Sequence, residues 1–272
     1  MIAVLGTGVM GKGIAIEFAR FGNKVLQVIT EDSLVIDNVR DDISGVIDRS
    51  KLENKDQILG NIELTKDLSK IKDKLIVVEA IVENLEAKQK YMTEVNKYLR
   101  PEAIMASNTS SLSIKKIFES IPNKNRVLGI HFFNPAHVMK LVEISRTADT
   151  SDETVNKAKE LVETLEKDPV FVKDSPGFIV NRLLIPMINE ASKMLDEGVA
   201  SAEDIDKAMK LGANHPIGPL KLSDLIGNDV VSLISDILKK NIDLNTSSKG
   251  LKELVKEKKL GRKTKAGFYD YQ

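Results

Sequence analysis

Six residues near the start of the chain, Gly6-Thr7-Gly8-Val9-Met10-Gly11, constrain its fold more than any other feature. They follow an apolar run at 2–5 and open a segment, 9–21, whose apolar residues recur with helical spacing. A strand, a glycine turn and a helix in that order form the phosphate-binding corner of a parallel α/β sheet. Gly6 permits the tight turn. Gly8 lets the backbone approach a pyrophosphate with no Cβ in the way, and Gly11 lets the helix pack closely on the strand. The anion then sits at the helix start, beside Val9 and Met10, where unpaired N–H groups and the helix dipole favour negative charge. The alternative is a glycine-rich turn with no ligand, and the agreement of strand, turn and helix argues against it.

Short apolar runs at 25–29, 75–80, 103–106 and 127–130 follow, several of them β-branched, as in buried parallel strands. Helical patterns lie between them, for example at 87–98. This alternation predicts a doubly wound, Rossmann-like sheet. The charged stretch 31–60 contains no clear strand and reads as one or two amphipathic helices inserted between strands. Past about Asp174 the character changes. Segments 178–196, 202–210 and 230–239 have helical spacing, punctuated by glycine and proline. The expected division is therefore 1–174, a dinucleotide-binding α/β domain, and 175–272, an all-helical domain. The basic stretch 249–265 reads as a solvated helix face.

His131 ends an apolar run and begins His131-Phe132-Phe133-Asn134-Pro135, where Asn-Pro signals a turn. The run 139–144 can return as another strand carrying Glu143. A strand–turn–strand of that kind brings His131 and Glu143 face to face, and a carboxylate on one ring nitrogen leaves the other as a base. Taken alone, a histidine on an apolar run is more often a satisfied core residue. Ser107-Asn108-Thr109-Ser110-Ser111 follows a strand, where ligands bind in open α/β sheets. The same residues can equally cap the next helix. Asn181 lies in the first turn of the first helix of the second domain, facing a cleft or capping the helix end.

With these residues in view the chain resembles the 3-hydroxyacyl-CoA dehydrogenases of single function. The matching pieces occur in order: the glycine turn 6–11, Glu79-Ala80-Ile81-Val82-Glu83-Asn84-Leu85, 107–112, His131-Phe132-Phe133-Asn134-Pro135, Met139-Lys140-Leu141-Val142-Glu143, 174–184, Gly218-Pro219 and 261–269. The resemblance implies that His131 is the base and Glu143 its orienting partner. It implies that Ser110 and Asn181 contact substrate and support the histidine. Glu83, Lys88 and Asn108 match positions of the cofactor site, the first two near its nicotinamide side. The implied reaction is reversible hydride transfer between an (S)-3-hydroxyacyl-CoA and a nicotinamide cofactor, giving the 3-oxoacyl-CoA, as in fatty acid metabolism. The family dimerises through its helical domain, so a homodimer is expected. The short, charged insertion 31–60 points to short acyl chains, C4 in particular. Two rivals differ in class: a sugar-acid dehydrogenase of the gulonate or λ-crystallin type, and a non-catalytic NAD(H)-binding sensor.

Cofactor choice departs from the usual pattern. NAD-preferring domains commonly end the second strand with an acidic residue that accepts from the ribose hydroxyls. Here that place is taken by Ile29. Thr30 offers a hydroxyl, but Glu31 and Asp32 would repel a 2′-phosphate. NAD is the expected cofactor, with NADP the alternative. Lys plus Arg and Asp plus Glu each number 40, so neither nucleic acid nor a membrane surface is an expected partner. The absence of cysteine excludes disulfides, thiolate catalysis and Cys-ligated zinc, and no metal site is expected. The first residues carry no basic leader, which leads to a cytoplasmic expectation.

Overall fold

In the computed structural model of the chain, which describes residues 2–31, 33–242 and 249–271, the first strand and helix fall where the glycine turn requires. Strand β1 (Ile2–Leu5) runs into helix α1 (Val9–Arg20) through the turn. β1 is buried along its whole length, and Ile14, Ile16 and Phe18 of α1 are fully buried against the sheet. Each such side chain contributes roughly 1.5–3 kcal/mol relative to exposure.

Strand β2 (Val25–Val28) follows, then helices α2 (Ile36–Arg49) and α3 (Lys55–Gly60). These are the two inserted helices expected at 31–60. α2 buries Val39, Ile43 and Ile47, spaced four apart on one face. Next come β3 (Ile62–Thr65), β4 (Ile76–Glu79), α4 (Leu85–Asn96), β5 (Ile104–Ser107), the single turn α5 (Ile114–Ile117) and β6 (Val127–Phe132). Then β7 (Leu141–Arg146), α6 (Asp152–Glu163) and β8 (Asp168–Lys173) complete the α/β part. Among the described residues the eight strands form one sheet in the order β3-β2-β1-β4-β5-β6-β7-β8. β1 to β6 are mutually parallel, β7 is antiparallel to β6, and β8 is parallel to β7.

Two strands carry no sequence signal of the kind read above. β3 is a four-residue edge strand with Glu63 exposed between buried neighbours. β8 is the opposite edge. It begins with Asp-Pro and leaves Val170 and Phe171 exposed, so no buried face marks it. Proline is tolerated there because an edge strand need not donate from every N–H.

The chain divides into two compact units, Met1–Ser175 and Pro176–Gln272. The second unit is helical: α7 (Val180–Asp196), α8 (Ala202–Gly212), α9 (Pro219–Ile226), α10 (Asn228–Asn241) and α11 (Lys249–Lys256). α9, starting with proline at its first position, is additional to the helices read from spacing. The basic stretch at 249–265 is α-helical only in its first part, with a 3-10 turn at Arg262–Thr264. Lys258 and Gly261 take positive φ, which ends the helix. Residues 261–271 then return as a strap over the unit. Asp224 accepts from the backbone N–H of Phe268 (2.8 Å) and Tyr269 (3.0 Å) and from the Tyr271 hydroxyl. Asp206 accepts from the N–H groups of Leu220 (2.8 Å) and Lys221 (3.0 Å) and from the Tyr269 hydroxyl (2.7 Å).

Candidate active site

The glycine turn fits the pyrophosphate of a dinucleotide. Gly6 has φ +103°, and a Cβ there would lie 2.6 Å from the Ala80 carbonyl oxygen. A Cβ on Gly11 would lie 2.3 Å from the Gly6 oxygen, so the helix sits on the turn at a distance only glycine allows. A Cβ on Gly8 would meet nothing within 4 Å, so its approach side is open. Gly8 caps α1 without a side-chain hydrogen bond, so the N–H groups of the first helical turn, at Val9 and Met10, remain for an anion. From beneath, Gln27 on β2 donates from Nε2 to the Gly6 oxygen at 3.0 Å and fixes the turn.

Beyond β2, Ile29 is buried in the sheet core and donates its N–H to the Thr65 oxygen at 2.8 Å. It offers no acceptor to a ribose. Thr30 is half-buried and Glu31 exposed, and Asp32 lies outside the described residues.

At the ends of β4 and β5 a network of buried charges organises the next loops. Glu79 is fully buried and pairs in register with Ser107. Its Oε1 accepts from Lys88 Nζ (2.6 Å) and the Ile81 N–H (2.7 Å), and its Oε2 from the Ser107 hydroxyl (2.6 Å). Lys88 also lies 3.3 Å from Glu83 Oε2. With 1 % exposure, Lys88 is enclosed by these partners. Its ammonium thereby bridges the Glu79 and Glu83 carboxylates. Glu83 Oε1 in turn accepts from the Thr109 hydroxyl (2.6 Å), the Ser110 N–H (3.0 Å) and the Ser111 hydroxyl (3.0 Å). Burial pushes the Glu83 carboxyl up, but the Lys88 charge and these hydrogen bonds outweigh it and leave it below the usual carboxylate range. Asn108 donates its N–H to the Glu79 oxygen (2.7 Å) and accepts from the Phe132 N–H (2.8 Å) through Oδ1. The loop carrying Ser110 is thereby tied to the strand carrying His131.

The antiparallel return of β7 makes His131 and Glu143 direct cross-strand partners. His131 Nδ1 and Glu143 Oε2 are 2.8 Å apart, and both side chains are buried. A carboxylate so placed holds the proton on Nδ1 and presents Nε2 as the basic nitrogen. Phe133 lies against the imidazole, ring centroids 4.4 Å apart and planes at 50°. Asp174, the first residue of another family motif, has a structural part. It accepts from the Ser113 hydroxyl (2.8 Å) and the N–H groups of Ile114 and Lys115 (each 2.9 Å), capping α5. Asn181 belongs to the helical unit, in the first turn of α7.

Sequence reasoning placed Ser107 and Thr109 in a ligand-binding or capping segment but missed Glu79 as the buried carboxylate that organises it. A carboxylate inside the apolar run 75–80 was the available signal, since an unpaired charge is not buried there.

A dinucleotide cradle at the carboxyl ends of the parallel strands, and a buried histidine–carboxylate pair at the end of β6 in the same mixed sheet, define a nicotinamide-dependent dehydrogenase. The family model for the 3-hydroxyacyl-CoA dehydrogenase NAD binding domain matches residues 1–175, and that for the 3-hydroxyacyl-CoA dehydrogenase C-terminal domain matches residues 177–271. The chain belongs to the 3-hydroxyacyl-CoA dehydrogenase family. It is 42% identical to a 3-hydroxybutyryl-CoA dehydrogenase of Clostridioides difficile, over 99% of both chains. It is 40% identical to the human mitochondrial hydroxyacyl-coenzyme A dehydrogenase, over 100% of this chain and 91% of that one. The crystal structure of (S)-3-hydroxybutyryl-CoA dehydrogenase from Ralstonia eutropha superposes with a TM-score of 0.89 at 40% identity, covering 100% of this chain and 98% of the other.

Proposed function

We propose that this chain interconverts short (S)-3-hydroxyacyl-CoA thioesters, 3-hydroxybutyryl-CoA foremost, and their 3-oxoacyl-CoA counterparts with NAD as the redox partner. The observation that carries the reading is the buried His131–Glu143 pair at the carboxyl end of β6. When bound, NAD supplies the hydride acceptor. The substrate 3-hydroxyl gives its proton to His131 Nε2, and Glu143 stabilises the imidazolium that forms. Proton transfer to a positioned base of this kind contributes roughly a hundred- to ten-thousandfold. Ser110, whose N–H is fixed by Glu83, holds a substrate oxygen in reacting geometry. The part of Asn181 in substrate binding rests on the family resemblance. Relatives named for the hydroxybutyryl substrate support the short acyl chain.

The charge balance and the exposed acidic residue Glu31 support NAD over NADP and a partner set without nucleic acid or membrane. Among the described residues no helix is long and apolar enough to cross a membrane. A cytoplasmic location and a homodimer complete the reading. Exposed Leu183, Leu211, Leu225 and Leu233 in the helical unit support the dimer.

The test is the loss of NADH absorbance on adding acetoacetyl-CoA, repeated with NADPH and with a long-chain 3-oxoacyl-CoA. The expected order of kcat/KM puts NADH above NADPH and C4 above long chains. In His131→Gln turnover should fall by about a hundredfold or more while NADH still binds. Near-wild-type turnover in that variant refutes the assignment of the base.

A further inference from the structure

The turn joining β6 to β7, residues 133–140, is held by a buried ion pair that the proposed reaction does not use. Lys167, just before β8, is 6 % exposed, and Glu17, on α1, is fully buried. Lys167 Nζ lies 2.7 Å from Glu17 Oε1 and donates to the carbonyl oxygens of Ala136 (2.6 Å) and Met139 (2.9 Å). The two carbonyls take hydrogen bonds from Lys167, and the Glu17 contact is a close charge pair. The second Glu17 oxygen meets Arg20 Nε at 2.7 Å. α1 also touches the turn directly, because a Cβ on Gly13 would lie 3.4 Å from the Ala136 Cβ. The turn begins with Phe133, the ring that lies against His131.

A buried pair of this kind is weak evidence for stability, since well-packed apolar residues of similar volume commonly do as well. What apolar residues cannot do is grip two carbonyls of a turn and a carboxylate on the cofactor helix at once. We infer that Glu17 and Lys167 are positioning residues. The pair ties the turn 133–140 to α1, and through Phe133 it sets where the His131 ring stands relative to the glycine turn. This inference rests on the reading of His131 as the base.

The double variant Glu17→Gln, Lys167→Met removes both charges, so neither is left buried alone. It should melt close to wild type. In the protein without cofactor, backbone amides of 133–140 should exchange with deuterium about tenfold faster, while those of β1 and β4 are unchanged. A misplacement of about 1 Å costs about a hundredfold, so kcat with acetoacetyl-CoA should fall roughly ten- to a hundredfold. KM for NADH should stay within about twofold. Unchanged kcat overturns the inference. So does a loss of kcat with unchanged exchange at 133–140, or one matched by a collapse in melting temperature. If the double variant does not fold, Glu17→Asp, which keeps the charge but draws the carboxylate back from Lys167, carries the same pattern at about threefold. His131→Gln assayed in parallel separates the two ideas: retained turnover there refutes the base, while the exchange comparison still reports on the turn.

Discussion

Replacing Glu143 by glutamine keeps the shape of the side chain and removes its charge. The carboxylate lies 2.8 Å from His131 Nδ1 and is 1 % exposed, so water does not substitute for it. In the proposed oxidation the imidazole gains a proton as the hydroxyl is consumed. The charge–charge attraction to Glu143 therefore develops in the transition state, where it accelerates the step. Charge centres about 4 Å apart attract by roughly 4 kcal/mol at an effective dielectric of about 20. The glutamine oxygen still accepts from Nδ1–H and returns about 1 kcal/mol. The remaining ~3 kcal/mol corresponds to a loss of about a hundredfold in kcat. The assay is the initial rate of NADH formation from 3-hydroxybutyryl-CoA and NAD at saturation, with a melting curve to confirm folding. KM for NAD should stay within about twofold, because uniform binding is untouched. A folded variant within about threefold of wild-type kcat refutes the reasoning, as does an effect confined to KM for the acyl-CoA.

Gly11→Ala would put a Cβ 2.3 Å from the Gly6 oxygen, forcing the turn open; NADH affinity, read by fluorescence titration, should fall by about tenfold or more. Lys88→Met leaves the fully buried Glu79 carboxylate without its cation, which costs about 3–5 kcal/mol. By calorimetry the melting temperature should drop by roughly 6–20 °C, whereas Lys97→Met, in an exposed pair with Glu94, should leave it unchanged. Glu83 has a lowered folded-state pKa, so its stabilising contribution is full above the ordinary carboxylate value and is lost as pH falls through the folded value. Glu83→Gln should flatten that acid limb, measured by urea unfolding across the acid range. Sedimentation at micromolar concentration should give twice the chain mass, and a monomer alone would refute the dimer.

The parts of this molecule that were legible from sequence are those whose neighbours are local or periodic. β1, the glycine turn and α1 follow one another without interruption, and the Asn-Pro turn between two apolar runs places His131 opposite Glu143. β8 was hidden because its apolar residues face outward, and β3 because four residues after a helix make too short a pattern. The burial of Lys88 and Lys167 was hidden for another reason. Lysine is almost never buried without a partner, and their partners come from other elements. Glu17 stands 150 residues before Lys167, a separation that no spacing rule spans. Ile29 read as a departure from the family, and its burial in the sheet core gives the physical reason why it cannot serve a ribose.

The strap at 261–271 has a consequence for how the chain is made. The first unit is contiguous and leaves the ribosome early, and N-terminal domains fold first during synthesis. Asp224 receives Phe268, Tyr269 and Tyr271 only 44–47 positions later in the chain. Until those residues emerge, its carboxylate lacks these three donors, and Asp206 lacks the Tyr269 hydroxyl. The helical unit thus matures as a late step of biosynthesis, and translational pausing before residue 268 should hold back this half of the protein while leaving the other half finished.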